Sequence, residues 1–469
     1  MRFPDQFVWG AGTSSYQVEG AARAAGKGPS VWDMFCAQKG VISDGQSGEV
    51  ACDQYHRIEQ DVAAMAEIGL ESYRFSIAWP RVLPEGTGTP NPHGLEYYDR
   101  VIDLLLENGI EPYVTLYHWD LPYALHLKGG WLNPDSPKWF ADYTRLMVQR
   151  LSDRVSNWCT FNEPSCFLGL GYLDGVHAPG LKMGRPEFLM AVKHVLLAHG
   201  RSVQTIREHA KTTPVVGYCP ISHSGIPATE SPEDIEAARA FTFGVPDANR
   251  GHWFSNIYSD PVLLGEWPEE TVNAFCAEPP RVTQTELEVM HQPIDHLALN
   301  LYSAAVVRAS ETAPYESLPL TCGEPLTTMG WTLRPDGLYW AVRFHHERYG
   351  LPIIIGENGV AITEWVSEDG MVHDPQRIDF VTRYLRHLGR AVQEGFPVLG
   401  YYYWSLLDNF EWAEGYTRRF GLVHVDFETQ ARTIKDSGYW YRSVIHTNGG
   451  ILSAPLSAAV EMQTREVSG

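Results

Sequence analysis

The sequence predicts an α/β chain folded as a single (β/α)8 TIM barrel with long βα loops over its C-terminal face. Three observations carry that expectation. Short runs of β-branched and aromatic residues recur through the chain, longer segments with helical periodicity separate them, and several runs end directly in polar, aromatic or acidic residues.

In chain order the candidate strands are Phe7 to Gly10, Ser72 to Ser76, Pro112 to Leu116, Asn157 to Phe161, Val215 to Tyr218, His296 to Leu299, Ile353 to Ile355 and Val398 to Trp404, eight in all. Helical stretches fit between them. Asp61 to Ile68, Tyr97 to Leu106 and Phe380 to Val392 each carry apolar residues at three- and four-residue spacing, the stripe that packs a helix onto a sheet. Such alternation builds a parallel sheet wrapped by helices. An open doubly wound sheet would place a GxGxxG or GxxxxGK[ST] turn after a strand, and no candidate is followed by one. The connections after Gly217 and Tyr302 are long and rich in Pro and Gly, so they are expected to be loops over the barrel mouth and not separate domains. The catalytic domain is expected over 1–452, with 453–469 as a tail of little periodicity that begins at about Ser453.

The chain has 469 residues, 44% hydrophobic, 12% aromatic and 20% charged, enough to bury a large core. Its net charge of -21 argues against nucleic acid, because binding phosphates needs clustered Lys and Arg. Acidic stretches such as Glu67 to Glu71 read as solubilising surface. MRFPDQFVWG opens without a basic segment and apolar run, so no secretory signal is expected. The longest nearly apolar stretch, Val398 to Leu407, is far short of the ~20 residues that cross a bilayer, so no membrane partner is expected either. Seven cysteines, with no CxxC pair, read as reduced thiols of a cytoplasmic protein. No HExxH segment occurs among the 18 histidines, and no metal is expected. Oligomeric state is not read from the sequence.

Cleaving an acetal needs one group to protonate the leaving oxygen and another to stabilise positive charge at the anomeric carbon, and two carboxylates meet that need. Asn157-Trp158-Cys159-Thr160-Phe161-Asn162-Glu163-Pro164 ends the fourth candidate strand, and Ile353-Ile354-Ile355-Gly356-Glu357-Asn358-Gly359 ends the seventh. A glutamate after an apolar run is ordinarily a solvated loop residue, so neither segment alone establishes chemistry. Arg74, His118, Trp119, Asn300, Tyr302 and Trp404 also stand at or just beyond strand ends.

With these segments stand Phe7-Val8-Trp9-Gly10, Gln17-Val18-Glu19-Gly20, Tyr73-Arg74-Phe75-Ser76, Tyr117-His118-Trp119-Asp120, Val176-His177-Ala178-Pro179-Gly180 and Asp408-Asn409-Phe410-Glu411-Trp412. In this order and over nearly the whole length, the chain resembles glycoside hydrolase family 1, the β-glucosidase family. The resemblance implies retaining hydrolysis, with Glu163 as acid/base and Glu357 as nucleophile, their carboxyl groups ~5 to 5.5 Å apart. It further implies that Arg74 and Tyr302 contact the nucleophile, a guanidinium there favouring the carboxylate form. By the same resemblance Gln17, His118, Asn162, Glu411 and Trp412 bind sugar hydroxyls, and Trp404 forms a platform beneath the ring. Trp119, Asn300 and Phe420 are placed with them as substrate-binding residues, and Trp331 as lining of the aglycone site or a packed loop anchor. No cofactor is implied, since both half-reactions use protein carboxylates and water.

The partners implied are small-molecule β-glycosides: cello-oligosaccharides, cut at the terminal non-reducing glucosyl unit, and aryl or alkyl β-glucosides. β-Galactosides, β-fucosides and transglycosylation are the alternatives within that reading; a non-catalytic sugar-binding protein is the rival outside it. Members that cleave 6-phosphoglycosides carry Ser where Glu411 stands, and a carboxylate near the outer hydroxyls repels phosphate. Two residues depart from the family pattern: Gly356, where Thr is usual, and Ser165, where Trp is common. Gly356 is expected to remove packing and add backbone freedom beside Glu357, and Ser165 to widen the leaving-group space.

Overall fold

The computed structural model describes residues 2–245 and 251–453. Eight strands, β1 (Val8–Gly12), β2 (Ser72–Ser76), β3 (Glu111–Tyr117), β4 (Asn157–Asn162), β5 (Val215–Cys219), β6 (His296–Asn300), β7 (Ile353–Asn358) and β8 (Val398–Trp404), form a closed parallel barrel in chain order, β8 pairing back onto β1. All eight expected strands form. Six of them run one to three residues further at the C-terminal end than the apolar runs suggest. The polar residues there join the ladder, as where Glu357 pairs with Asn300 and Asn162 with Cys219.

Inside the barrel, Tyr113, Cys159, Cys219, Ala298 and Tyr402 form one small cluster with Val8 and Ile354 at its edge. Seven strands thus contribute to one filled interior, a packed core rather than a pore. Tyr402 fits only because β1 presents Gly10 opposite it: a Cβ there would lie 2.5 Å from the ring. The outward faces of the strands join the much larger helix-side core. Phe161 of β4, for example, meets Phe140 of helix Ser136–Leu151 at 4.4 Å between ring centroids, and burying each such ring stabilises the fold by about 1.5–3 kcal/mol.

The connections after β5 and β6 are not the bare loops expected. Ser224–Pro227 from the first pairs with Ala304–Arg308 from the second, and Glu316–Ser317 completes a three-stranded sheet. Helices Pro232–Phe243, Asn256–Leu263, Glu269–Phe275 and Gln284–Met290 fill the rest of the first connection. The sequence signal of Ser224–Pro227 and Ala304–Arg308 is weak because each finds its partner some 80 residues away. Among the described residues no helix is long and apolar enough to cross a membrane. All seven cysteines are free thiols, Cys322 alone exposed. Of the expected tail, everything beyond Ser453 lies outside the described residues.

A buried ionic network pins the segment that follows β8. Lys435 pairs with Asp408 at 2.7 Å and with Glu364; Arg377 pairs with Glu364 at 2.7 Å and with Asp374; Arg419 pairs with Asp408 at 2.7 Å. Three cations balance three carboxylates, the condition under which buried charge is tolerated. Asp408 also accepts the Gly421 amide at 2.9 Å. The network therefore holds both ends of the stretch that carries Glu411, Trp412 and Phe420.

Candidate active site

The C-terminal ends of the strands converge on one polar pocket, and the backbone is bent where its key side chains leave the barrel. Strand pairing shifts register between Cys159 and Asn162 on β4 and between Ile355 and Glu357 on β7, and irregularities of this kind re-aim side chains beside functional sites. Glu163 (φ 46°), Trp119 (φ 82°) and Trp412 (φ 51°) all occupy the left-handed region. Each costs on the order of 1–3 kcal/mol. Local bonds hold them: the Glu163 amide donates to Cys219 O at 2.7 Å, and the Trp119 indole to Asn162 O at 2.9 Å.

The two glutamates are buried in unlike surroundings. Both oxygens of Glu357 accept strong donors, Arg74 Nη1 at 2.6 Å on Oε1 and the Tyr302 hydroxyl at 2.7 Å on Oε2. Glu163 receives Asn300 Nδ2 on Oε1 at 2.8 Å and lies near the Cys166 thiol, with no cation directly on it. Burial, and next the charge of Glu357, push its carboxyl up to about 8. Two carboxyls in one pocket thus have unlike partners, a cation and a hydroxyl on one and an amide on the other.

Arg74 ties the pair to the sugar-facing residues. Its Nη2 donates to Asn162 Oδ1 at 2.6 Å, and Asn300 Nδ2 donates to the same oxygen at 3.0 Å. With Oδ1 so occupied, Asn162 Nδ2 is the donor to His118 Nε2 at 3.0 Å. Burial and the Arg74 charge hold the His118 imidazole well below its usual range, so the ring is neutral. Gln17 Nε2 donates to Asn409 Oδ1 at 2.9 Å and to Glu411 Oε2 at 3.2 Å. Glu411 is pushed up to about 8 by burial and then by the charges of Glu357 and Glu163.

Aromatic rings wall the pocket. His118 stacks at 5.7 Å from Trp404 and 5.9 Å from Trp412, and Trp412 lies 4.4 Å from Trp119. On the opposite side Tyr302, Phe420 and Trp404 form a second cluster, with Trp331 half-buried against Tyr302 at 5.0 Å and Phe420 at 6.2 Å. All fourteen residues expected in the site are therefore connected, directly or through one another, within one constellation. Such an arrangement offers a pair of carboxyls with unlike partners, convergent hydrogen-bonding groups and flat apolar faces: the requirements for cleaving a bond beside a polyhydroxylated ring.

Two participants escape a reading by motif, and a third, Asn409, stands within one of the motifs without a role of its own. Cys219 donates to Asn300 Oδ1 at 3.0 Å and accepts from Arg74 Nη2 at 3.4 Å; Cys166 lies beside Glu163; Asn409 orients Gln17. The available signal was position: Cys219 closes β5, and Cys166 stands three residues beyond Glu163, on helix Pro164–Leu168. Gly356 departs from its expectation. A Cβ there would meet Asn300 Oδ1 at 2.8 Å and Cys219 Sγ at 3.1 Å, so the space is filled and not slack. Ser165 lines a notch with Pro220, Ile221, His223 and Trp253 beside Glu163.

The chain is similar to known glycosidases in sequence and fold. The family described as glycosyl hydrolase family 1 matches residues 1–450. β-Glucosidase A of Thermotoga maritima is 44% identical over 453 residues, covering 96% of this chain and 98% of its own. The bifunctional β-D-glucosidase/β-D-fucosidase of Bifidobacterium breve is 40% identical over 475 residues, with coverage of 95% and 98%. The solved structure of the Thermotoga maritima β-glucosidase in complex with glucoimidazole superposes with a TM-score of 0.87 at 43% identity, over 96% of this chain and 99% of that one.

Proposed function

This chain belongs to glycosyl hydrolase family 1, and on that premise we propose a division of labour in which Glu357 is the nucleophile and Glu163 the acid/base, within one catalytic domain over 1–452. The protein is a retaining β-glycosidase acting on β-glucosides. The observation that carries the division of labour is the asymmetry of the two carboxyls: Glu357 is held by Arg74 and Tyr302, while burial and the neighbouring charge keep Glu163 protonated to about pH 8.

In the first step a carboxylate oxygen of Glu357 attacks the anomeric carbon while Glu163 gives its proton to the departing glycosidic oxygen, leaving a glycosyl ester and the free aglycone. Forming the ester removes the charge of Glu357. Because that charge is the second cause holding Glu163 up, its loss makes Glu163 a stronger acid, now ionised and ready to act as base. Glu163 then takes a proton from water as the water oxygen attacks the anomeric carbon, and Glu357 leaves as carboxylate with net retention. Asn162, tied to Arg74 at 2.6 Å, is assigned to the sugar's 2-hydroxyl, a contact that strengthens in the transition state.

Gln17, His118, Trp119, Trp404, Glu411 and Trp412 are assigned to the non-reducing sugar, Phe420 to the wall beside it, and Trp331 with the Ser165 notch to the aglycone. Glu411, buried and hydrogen-bonded by Gln17, exchanges hydrogen bonds with hydroxyls but supplies no cation for a phosphate, which suits neutral glucosides, such as cello-oligosaccharides and aryl or alkyl glucosides, over phosphorylated ones. Activity on β-fucosides is the second reading, favoured by the similarity to the Bifidobacterium breve enzyme. The decisive experiment replaces each glutamate by Ala and adds azide to an activated aryl β-glucoside. Glu163→Ala should yield β-glucosyl azide, because the ester still forms and azide needs no base; Glu357→Ala should yield the α-azide. The reverse pairing would overturn the assignment.

A further inference from the structure

We propose that Cys219 is a positioning residue for catalysis: its thiol fixes the carboxamide of Asn300, and through it the hydrogen bond that Asn300 gives to Glu163. The proposal rests on the reading of Glu163 as acid/base.

Asn300 spends both amide protons inside the site, on Glu163 Oε1 at 2.8 Å and Asn162 Oδ1 at 3.0 Å. Its own oxygen, turned away from them, faces the Cys219 sulfur at 3.0 Å. The two ends of a carboxamide are nearly alike in shape, so its partners alone decide which end faces which. Asn162 meets the nitrogen end with an acceptor; Cys219 meets the oxygen end with a donor.

The thiol is suited to donate. It is fully buried at the end of β5, and burial pushes it well above the ordinary thiol range, so it keeps its proton. Arg74 Nη2 approaches the sulfur at 3.4 Å and occupies a lone pair, and Cys159 faces it as a second hydrogen-bonding sulfur; the oxygen that the S–H meets is Asn300 Oδ1 at 3.0 Å. A single sulfur thereby joins the guanidinium that holds Glu357 to the amide that holds Glu163.

Gly356 makes the arrangement possible. Any side chain at that position would begin 2.8 Å from Asn300 Oδ1, 3.1 Å from Cys219 Sγ and 3.3 Å from Ala298 Cβ. A β-branched residue beside the nucleophile would displace the amide or the thiol. Gly356 and Cys219 therefore act as a matched pair: the missing side chain on β7 is answered by a donor from β5.

An N–H donated to a carboxylate stabilises its charged form, so loosening Asn300 makes Glu163 harder to ionise. Full loss of one such bond corresponds to about one to two pH units. The test measures kcat/KM against pH for phenyl and 2,4-dinitrophenyl β-glucosides with wild type, Cys219→Ala, Cys219→Ser, Gly356→Ala and Glu163→Gln. Cys219→Ala should raise the alkaline limb by about half a unit or more, and slow the phenyl substrate, which needs the acid, about fivefold more than the dinitrophenyl one. Cys219→Ser, still a donor, should restore both, and Gly356→Ala should reproduce the Cys219→Ala pattern. Unchanged limb and leaving-group dependence in Cys219→Ala, or Cys219→Ser behaving like Ala, would overturn the proposal. If Cys219→Ala does not fold, a wild-type profile for Gly356→Ala overturns it instead. Persistence of the alkaline limb in Glu163→Gln would refute the reading of Glu163, whatever the cysteine variants do.

Discussion

Replacing Arg74 by Met removes the cation paired with the nucleophile while keeping much of the volume. Arg74 is 1% exposed, and its terminal nitrogens serve Glu357 at 2.6 Å, Asn162 at 2.6 Å, the Gly356 carbonyl at 3.3 Å and Cys219 at 3.4 Å. In the variant, Glu357 keeps the Tyr302 hydroxyl but loses its cation. Breaking a buried pair costs about 3–5 kcal/mol, and the charge that Arg74 steadies as Glu357 attacks and departs is then left uncompensated.

The kcat/KM for an activated aryl β-glucoside should therefore fall by about a hundredfold, the equivalent of the lower figure. The alkaline limb should rise, but only modestly, because the Arg74 charge lowers Glu163 yet ranks behind burial, Glu357 and hydrogen bonding among the influences on it. Because the two carboxyls interact, the limbs belong to the pair, and the comparison is between whole profiles. Arg74→Lys separates charge from shape: one ammonium cannot serve both Glu357 and Asn162 as the planar fork does, so Lys should recover part of the lost rate and not all of it. A folded Arg74→Met enzyme that keeps the wild-type kcat/KM would refute the electrostatic account.

Wild-type kcat/KM should fall about tenfold per unit above pH ~8 as Glu163 loses its proton, and a flat profile from pH 7 to 10 would contradict its role as acid. Lys435→Met leaves Asp408 and Glu364 short of a cation and should lower stability by about 3–5 kcal/mol; calorimetry at fixed scan rate should show a lower melting temperature, with a raised KM as the Glu411 segment shifts, and an unchanged melt would show the network to be dispensable. His373 is raised to about 9 by hydrogen bonds to Asp436 and Asp369. Its folded value lies above the ordinary one, so the stability it contributes is complete below about pH 6.5 and is lost as pH rises through 9. Being largely exposed, the cluster is screened by salt; His373→Gln should flatten the melting temperature between pH 6.5 and 9 at low ionic strength, and an unaltered slope would rule the cluster out as its source.

The barrel was legible because parallel strands buried on both faces read as continuous apolar runs, and Ile353 to Ile355 or Val398 to Trp404 have few other uses. The site was legible because each strand's direction places its next polar residues at one rim. What escaped depends on contacts no local pattern encodes. Ser224–Pro227 becomes a strand only against Ala304–Arg308, and Cys219 resembles any buried thiol until Asn300 is seen 3.0 Å away.

Gly356 shows why such contacts matter. Along the chain a glycine in place of a β-branched residue reads as lost packing, because sequence position records only what that residue contributes. Packing is a property of the enclosed volume, and here the volume is supplied from neighbouring strands: Cys219 on β5, and Ala298 and Asn300 on β6, lie within 3.3 Å of where the Cβ would stand. Restoring Thr would then not refill a void but push on the amide that serves Glu163. A substitution beside a nucleophile is therefore interpretable only together with the side chains that share its space, and in this barrel those belong to the acid/base as much as to the nucleophile.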